Sequence, residues 1–152
     1  MTTPLPTGTL GTSLALAGGD LVLRAGDLAT VSGTDNLLQG LQVLVGTPWG
    51  SDPVNVGYGL DAVAIFAVDA SAAAIKDIVR LNLVKSLSRD NRIREIRDIV
   101  FDDEAGFAAL ARDAGGADPG AAARHGRAWH ALVSFETIAG ERGSLAVGGP
   151  AA

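Results

Sequence analysis

Between residues 127 and 138 the side chains alternate. Trp129, Ala131, Val133 and Phe135 fall on every second position, with His130 and Ser134 between them. A period of two is the mark of a strand that buries one face and leaves the other toward solvent. Such a strand needs partner strands and an apolar layer against its buried face. The layer is legible upstream. Ile75, Ile78, Val79, Leu83, Val84 and Leu87 recur close to i, i+3, i+4 and predict an amphipathic helix over residues 72–88, with Lys76, Arg80 and Lys85 off its stripe. Asp69 and Ser71 are placed to cap it. A shorter helix carries Leu37, Leu38, Leu41, Leu44 and Val45, with an N-cap expected at Thr34 or Asp35 and a stop at Gly46.

Other segments fill in around these. Residues 9–17, 21–24 and 28–32 read as three short strands separated by Gly18-Gly19-Asp20 and Ala25-Gly26-Asp27, a glycine-punctuated β meander. Residues 60–68 are apolar and suit a short helix or strand. Residues 92–102 mix Ile93, Ile96, Ile99, Val100 and Phe101 with charged residues and read as a strand. Asp102, Asp103 and Glu104 put negative charge at the start of a short helix over 105–112. Residues 114–123 read as an exposed loop. After a turn at 139–143, residues 144–147 return as a short last strand. The expected fold is α+β: a small mixed β-sheet packed against two or three helices, with an N-terminal β meander and terminal edge strands. Residues 1–9 read as a flexible arm, 10–148 as one domain and 149–152 as a frayed tail. No internal repeat is read.

The segment from Gly46 to Gly59 carries two prolines and, with its two ends, four glycines, which excludes regular structure. Its aromatic residues argue against a floppy linker. It reads as an ordered loop anchored by Trp49, Pro53, Tyr58 and Gly59, with a ligand-binding role for the aromatics the lesser alternative.

Composition narrows the function. The 152 residues carry a formal net charge of −5, which is the wrong sign for a free nucleic-acid binder. There is no cysteine, so disulfides, thiol catalysis and Cys-ligated zinc are excluded. The first ten residues lack the basic and apolar regions of a secretory signal, and no apolar run approaches the ~20 residues of a membrane span. Synthesis in the cytoplasm as a soluble chain without a membrane span is the expectation.

Candidate chemistry is sparse. His125 and His130 lie on different expected elements, with no further ligands at metal-site spacing. Ser134 and Ser144 lack the context of a nucleophile elbow. A glycosidase would need two carboxylates in unlike environments, for which Asp102, Asp103, Glu104 and Glu95 are available, with Glu104 or Glu95 the leading candidate. The denser feature is basic: Lys85, Arg89, Arg92, Arg94 and Arg97 are five of the chain's twelve cations. They suit a solvated helix end and, equally, a patch for an acidic protein surface. No aromatic residue is interleaved with them to stack nucleic-acid bases.

The run Leu37-Leu38-Gln39-Gly40-Leu41, the stretch from Leu44 to Gly50, Asp52-Pro53, and Gly57-Tyr58-Gly59-Leu60 together resemble the lysozyme-like baseplate wedge family of contractile phage tails and phage-tail-like injection particles. The type VI secretion wedge protein is a more distant relative. Asp90-Asn91-Arg92-Ile93 stands where that family has an acidic-Pro-Arg-Ile element, and Val133-Ser134-Phe135-Glu136-Thr137-Ile138 is similar to its closing strand. The chain departs from the family pattern in Gly50-Ser51-Asp52, where Gly-Glu-Arg is common, and in Asn91, where proline is common. The resemblance implies a structural, non-enzymatic subunit without cofactor or metal. It implies contact with neighbouring wedge proteins through Arg89, Arg92, Arg94 and Arg97. It implies strand addition to the first sheath ring through Val133, Phe135, Thr137, Leu145 and Val147. Sheath protein, baseplate wedge proteins, and spike, hub and inner tube proteins are the implied partners, at six copies per particle.

Overall fold

The computed structural model describes residues 9–61, 71–113 and 128–150. It is a small α+β fold. Six very short strands come first: β1 (Thr12–Leu14), β2 (Leu16–Ala17), β3 (Asp20–Leu21), β4 (Leu23–Arg24), β5 (Asp27–Leu28) and β6 (Thr30–Ser32). Helix α1 (Gly33–Gly46) and helix α2 (Ala72–Leu87) follow, then β7 (Ile93–Phe101), α3 (Phe107–Asp113), β8 (Ala128–Thr137) and β9 (Arg142–Pro150). The last three strands form an antiparallel sheet in the order β7-β8-β9.

The core lies between this sheet and the two long helices. Leu37, Leu41 and Leu44 of α1 and Val79, Leu83 and Leu87 of α2 pack with Phe101, Val133, Phe135 and Leu145. The inward positions of β8 are those the alternation predicts, continued by Thr137. That buried hydroxyl accepts the Glu141 N–H, so the turn into β9 is tied from within the core. The opposite face of the sheet is not wholly open, because Val100 and Leu132 are buried as well.

Strand β7 explains an oddity of its sequence. Ile93, Ile96 and Ile99 recur every third residue, which a regular strand cannot place on one face. The pairing with β8 slips between Ile93 and Glu95 and again between Ile96 and Asp98. Each bulge absorbs one extra residue. The three isoleucines thus turn inward while Arg94, Glu95, Arg97 and Asp98 stay exposed.

Several expectations are corrected. Helix α1 begins two to three residues earlier than read: Ser32 is the N-cap, and Thr34 instead donates its hydroxyl to Glu141. Ser71 does cap α2, accepting the Ala74 N–H at 3.3 Å. Val84 is exposed, whereas Asn82 and Ser86 are buried and bonded to Ile78 O and Gly59 O. Strand β9 extends to Pro150, because Ala128, Trp129 and His130 pair with Pro150, Gly149 and Gly148. Residues 149 and 150 therefore belong to the sheet and not to a tail. The expected arm at 1–8, Asp69, most of the apolar 60–68 stretch and the 114–123 loop lie outside the described residues.

The N-terminal meander is an internal repeat that the sequence reading misses. Residues 13–19, 20–26 and 27–33 are three heptads, each with leucine at its second position and glycine at its seventh. All three glycines, Gly19, Gly26 and Gly33, have positive φ. Within each heptad one strand pairs with the preceding heptad and the next with the following one: β2 with β3, β4 with β5, and β6 back with β1. The third residues meet at the centre in a closed ring of hydrogen bonds. Ala15 N donates to Ala29 O, Ala29 N to Val22 O, and Val22 N to Ala15 O, at 2.8, 2.8 and 3.0 Å. The result is a three-armed β unit with pseudo-threefold symmetry. Helix α1 holds it by two amides. Gln39 accepts the Leu16 N–H and donates to Leu14 O, like an added strand, and Asn36 accepts the Ser13 hydroxyl while donating to Leu10 O just before the unit.

Candidate interaction site

The loop between α1 and α2 is shaped by short-range chemistry. Thr47 O accepts the Leu60 N–H and Leu60 O accepts the Trp49 N–H, so Pro48 and Leu60 form a parallel bridge across the loop's base. Asp52 accepts the N–H groups of Val54 and Asn55 and so caps the turn between. Gly59 sits at φ +109, a region costly for any other residue, with its carbonyl bonded to the buried Ser86 hydroxyl of α2. Of the four expected anchors, Trp49, Tyr58 and Gly59 are built into this structure. Pro53 is exposed, and its neighbour Asp52 ties the turn instead.

The end of α2 meets this loop. Arg89 stacks on Trp49, its guanidinium carbon 4.7 Å from the ring centre, and donates to Gly57 O at 2.5 Å. Lys85 lies 5.4 Å from the same ring. Arg92 grips Asp90 through both ends of its fork, Nε to Oδ1 at 2.9 Å and Nη2 to Oδ2 at 2.6 Å, while Nη1 donates to Leu10 O at 3.2 Å. Gly40 of α1 gives the guanidinium room, since a Cβ there would lie 3.1 Å from Nη2. Burial raises the Asp90 carboxyl pKa, but the hydrogen bonds and charge of Arg92 outweigh it, and the group is held below its ordinary value. Burial, reinforced by Asp90, raises the Tyr58 phenol. Together Tyr58, Arg89, Asp90, Asn91 and Arg92 line a cleft of about 460 Å³ between α1, the loop and the start of β7.

The four arginines of the sequence patch therefore split into two pairs. Arg89 and Arg92 belong to the cleft and are engaged by their own chain. Arg94 and Arg97 project from the β7 bulges and share Glu136 on β8. Arg97, by its hydrogen bond, holds the Glu136 carboxyl below its ordinary value. The sequence reading places Asp90 in the Asp90-Asn91-Arg92-Ile93 element without its pairing to Arg92, and it passes over Asn55, which also lines the cleft. The available signal for the pairing was an aspartate two positions before an arginine in a turn.

The carboxylates considered for hydrolysis are structural in their contacts. Glu104 bonds Arg80 and accepts the Phe101 N–H, and Asp103 pairs with Lys76. The Arg80 hydrogen bond, followed by that of Phe101 N–H, lowers the Glu104 pKa. A glycosidase acid requires the opposite shift. Glu95 is exposed beside Arg97. No cluster of metal-binding side chains occurs among the described residues, and none of their helices is long and apolar enough to cross a membrane.

The residues expected to meet a sheath strand fall in two classes. Val133, Phe135 and Thr137 lie on β8, the central strand, whose two edges are taken by β7 and β9. Their strand has no backbone left for an incoming one, which corrects that part of the expectation. Leu145 and Val147 lie on β9, an edge strand. Their side chains are buried inward. Gly143 faces Phe135 across the sheet, where the ring occupies the space a Cβ would take, 2.5 Å from Cζ.

No protein-family model matches the chain, and a search of curated proteins finds no match.

Proposed function

We propose that the chain is a structural subunit of the baseplate of a contractile injection particle, linking wedge proteins to the first sheath ring. The observation that carries this reading is β9. Its nine residues pair with β8 on one side, and no described strand occupies the other. A long edge of this kind presents unpaired N–H and C=O groups and accepts a strand from another chain. On this reading β9 receives a sheath strand and so starts sheath assembly. The exposed Arg94 and Arg97 and the rim of the Arg89–Arg92 cleft face neighbouring wedge proteins. The resemblance of residues 35–101 to the wedge family supports the same assignment. The subunit is made in the cytoplasm and works in the assembled particle, at six copies. The glycosidase alternative gains no support, because Glu104 is shifted away from acid catalysis.

Electron microscopy of particles from cells lacking this gene tests the proposal. The expected result is missing or unanchored sheaths. Normal, sheathed, contractile particles overturn it.

A further inference from the structure

The three-armed β unit exposes an unusual face. Side chains alternate across each strand, so the second and fourth residues of each heptad share one side of the unit. Those residues are Leu14 and Leu16, Leu21 and Leu23, and Leu28 and Thr30, and the strand pairing sets them opposite one another as Leu14 with Thr30, Leu16 with Leu21, and Leu23 with Leu28. All five leucines are exposed, Leu23 to 68%. The ring residues Ala15, Val22 and Ala29 point to the other side and are less exposed. The unit thus shields its small residues and shows solvent its large ones, the reverse of what folding alone favours. Its charged residues, Asp20, Arg24 and Asp27, occupy the first and fifth heptad positions and so fall on the alanine side. The leucine face is left uncharged.

We propose that this leucine face is a self-association surface whose occupant is the same face of a second copy of this chain. Three features select a second copy. An uncharged face offers nothing to discriminate a charged partner, and it lets two chains of net charge −5 meet where repulsion is least. A pseudo-threefold face has its geometric match in another pseudo-threefold face, each presenting two Leu–Leu pairs and one Leu–Thr pair on its three arms. The area is also suited to pairing: the five leucines together expose roughly 450 Å², within the range of the largest patch on an ordinary monomer and often functional. Two such faces bury roughly 900 Å², above ordinary lattice contacts and below the ~1,200 Å² of stable complexes. The pair is therefore weak and reversible in free solution, and it strengthens where other contacts hold copies side by side.

Sedimentation velocity of the full chain, from about 10 µM to about 1 mM, spans the affinities expected of so small an interface. The weight-average sedimentation coefficient should rise with concentration. The double variant Leu21→Ser/Leu23→Ser should abolish the rise while keeping the parent far-ultraviolet circular dichroism. Leu81→Ser/Val84→Ser, which removes the exposed apolar pair on α2, should leave it unchanged. A monomer at every concentration overturns the proposal, as does a rise lost only in the α2 variant. Should the first variant lose its fold, a nitroxide on Leu23→Cys decides the matter, since the chain has no other cysteine. Intermolecular dipolar broadening in concentrated frozen solution supports face-to-face pairing, and its absence refutes it.

Discussion

Substituting Gly59 by alanine strikes the point where the loop, α1 and α2 are joined. Two penalties act together. The backbone there has φ +109, and an L-residue forced into left-handed space loses about 1–2 kcal/mol. The new Cβ would overlap Thr47 O and lie 3.0 Å from both the carbon and the oxygen of the Pro48 carbonyl. These are backbone atoms fixed by the Leu60 N–H to Thr47 O and Trp49 N–H to Leu60 O hydrogen bonds. They cannot rotate away as a side chain would, and overpacking of this kind costs about 1–3 kcal/mol. Alanine returns about 0.4–1 kcal/mol by restricting the unfolded chain. The net loss is about 2–4 kcal/mol from a domain whose total stability is of order 5–15 kcal/mol. With a urea m-value near ~2 kcal/mol/M, the midpoint should fall by about 1–2 M at unchanged m. Trp49, stacked under Arg89, reports the loop by fluorescence, and circular dichroism reports the helices. A midpoint within about 0.3 M of the parent would show that the base of the loop yields, and would refute the claim that Gly59 locks it.

Other substitutions probe other parts of the account. Gly143→Ala forces the Phe135 ring from its place across the sheet and should cost about 1–3 kcal/mol in denaturant melts. Arg92→Glu sets two carboxylates side by side and removes the tie to Leu10. It should cost at least about 2 kcal/mol, with Arg92→Lys recovering part of the loss. Asp90, Asp103, Glu104 and Glu136 all have folded-state pKa values below their ordinary ones. Their contribution is complete above about pH 5 and drains away as pH falls through the lowered values, so unfolding free energy should decline from about pH 4.5 downward. A flat profile between about pH 5 and pH 3 would contradict it.

What the sequence revealed and what it hid have a common physical cause. The α1 and α2 stripes and the alternation of β8 stand out because each spans enough residues for its period to repeat against one buried side. The heptads hide because their strands are two or three residues long and their leucines face outward, so a search for buried periodicity passes over them. The bulges of β7 hide in a three-residue isoleucine spacing that suits neither a strand nor a helix. The length of β9 hides in Gly148-Gly149-Pro150, which has the composition of a tail but is paired with β8. At the cleft, the sequence identified Arg89 and Arg92 as basic residues. It did not reveal that Trp49, Gly57 and Leu10 engage them, because those contacts cross 32 to 82 positions of chain.

The most direct test of the account's central claim is a high-resolution electron-microscopy map of intact particles that contain this chain. The account predicts a strand of the first sheath ring running along the free edge of β9 at the ~4.8 Å spacing of paired strands. A map in which the chain is present with that edge in solvent, or in which the sheath pairs with another subunit, would contradict it.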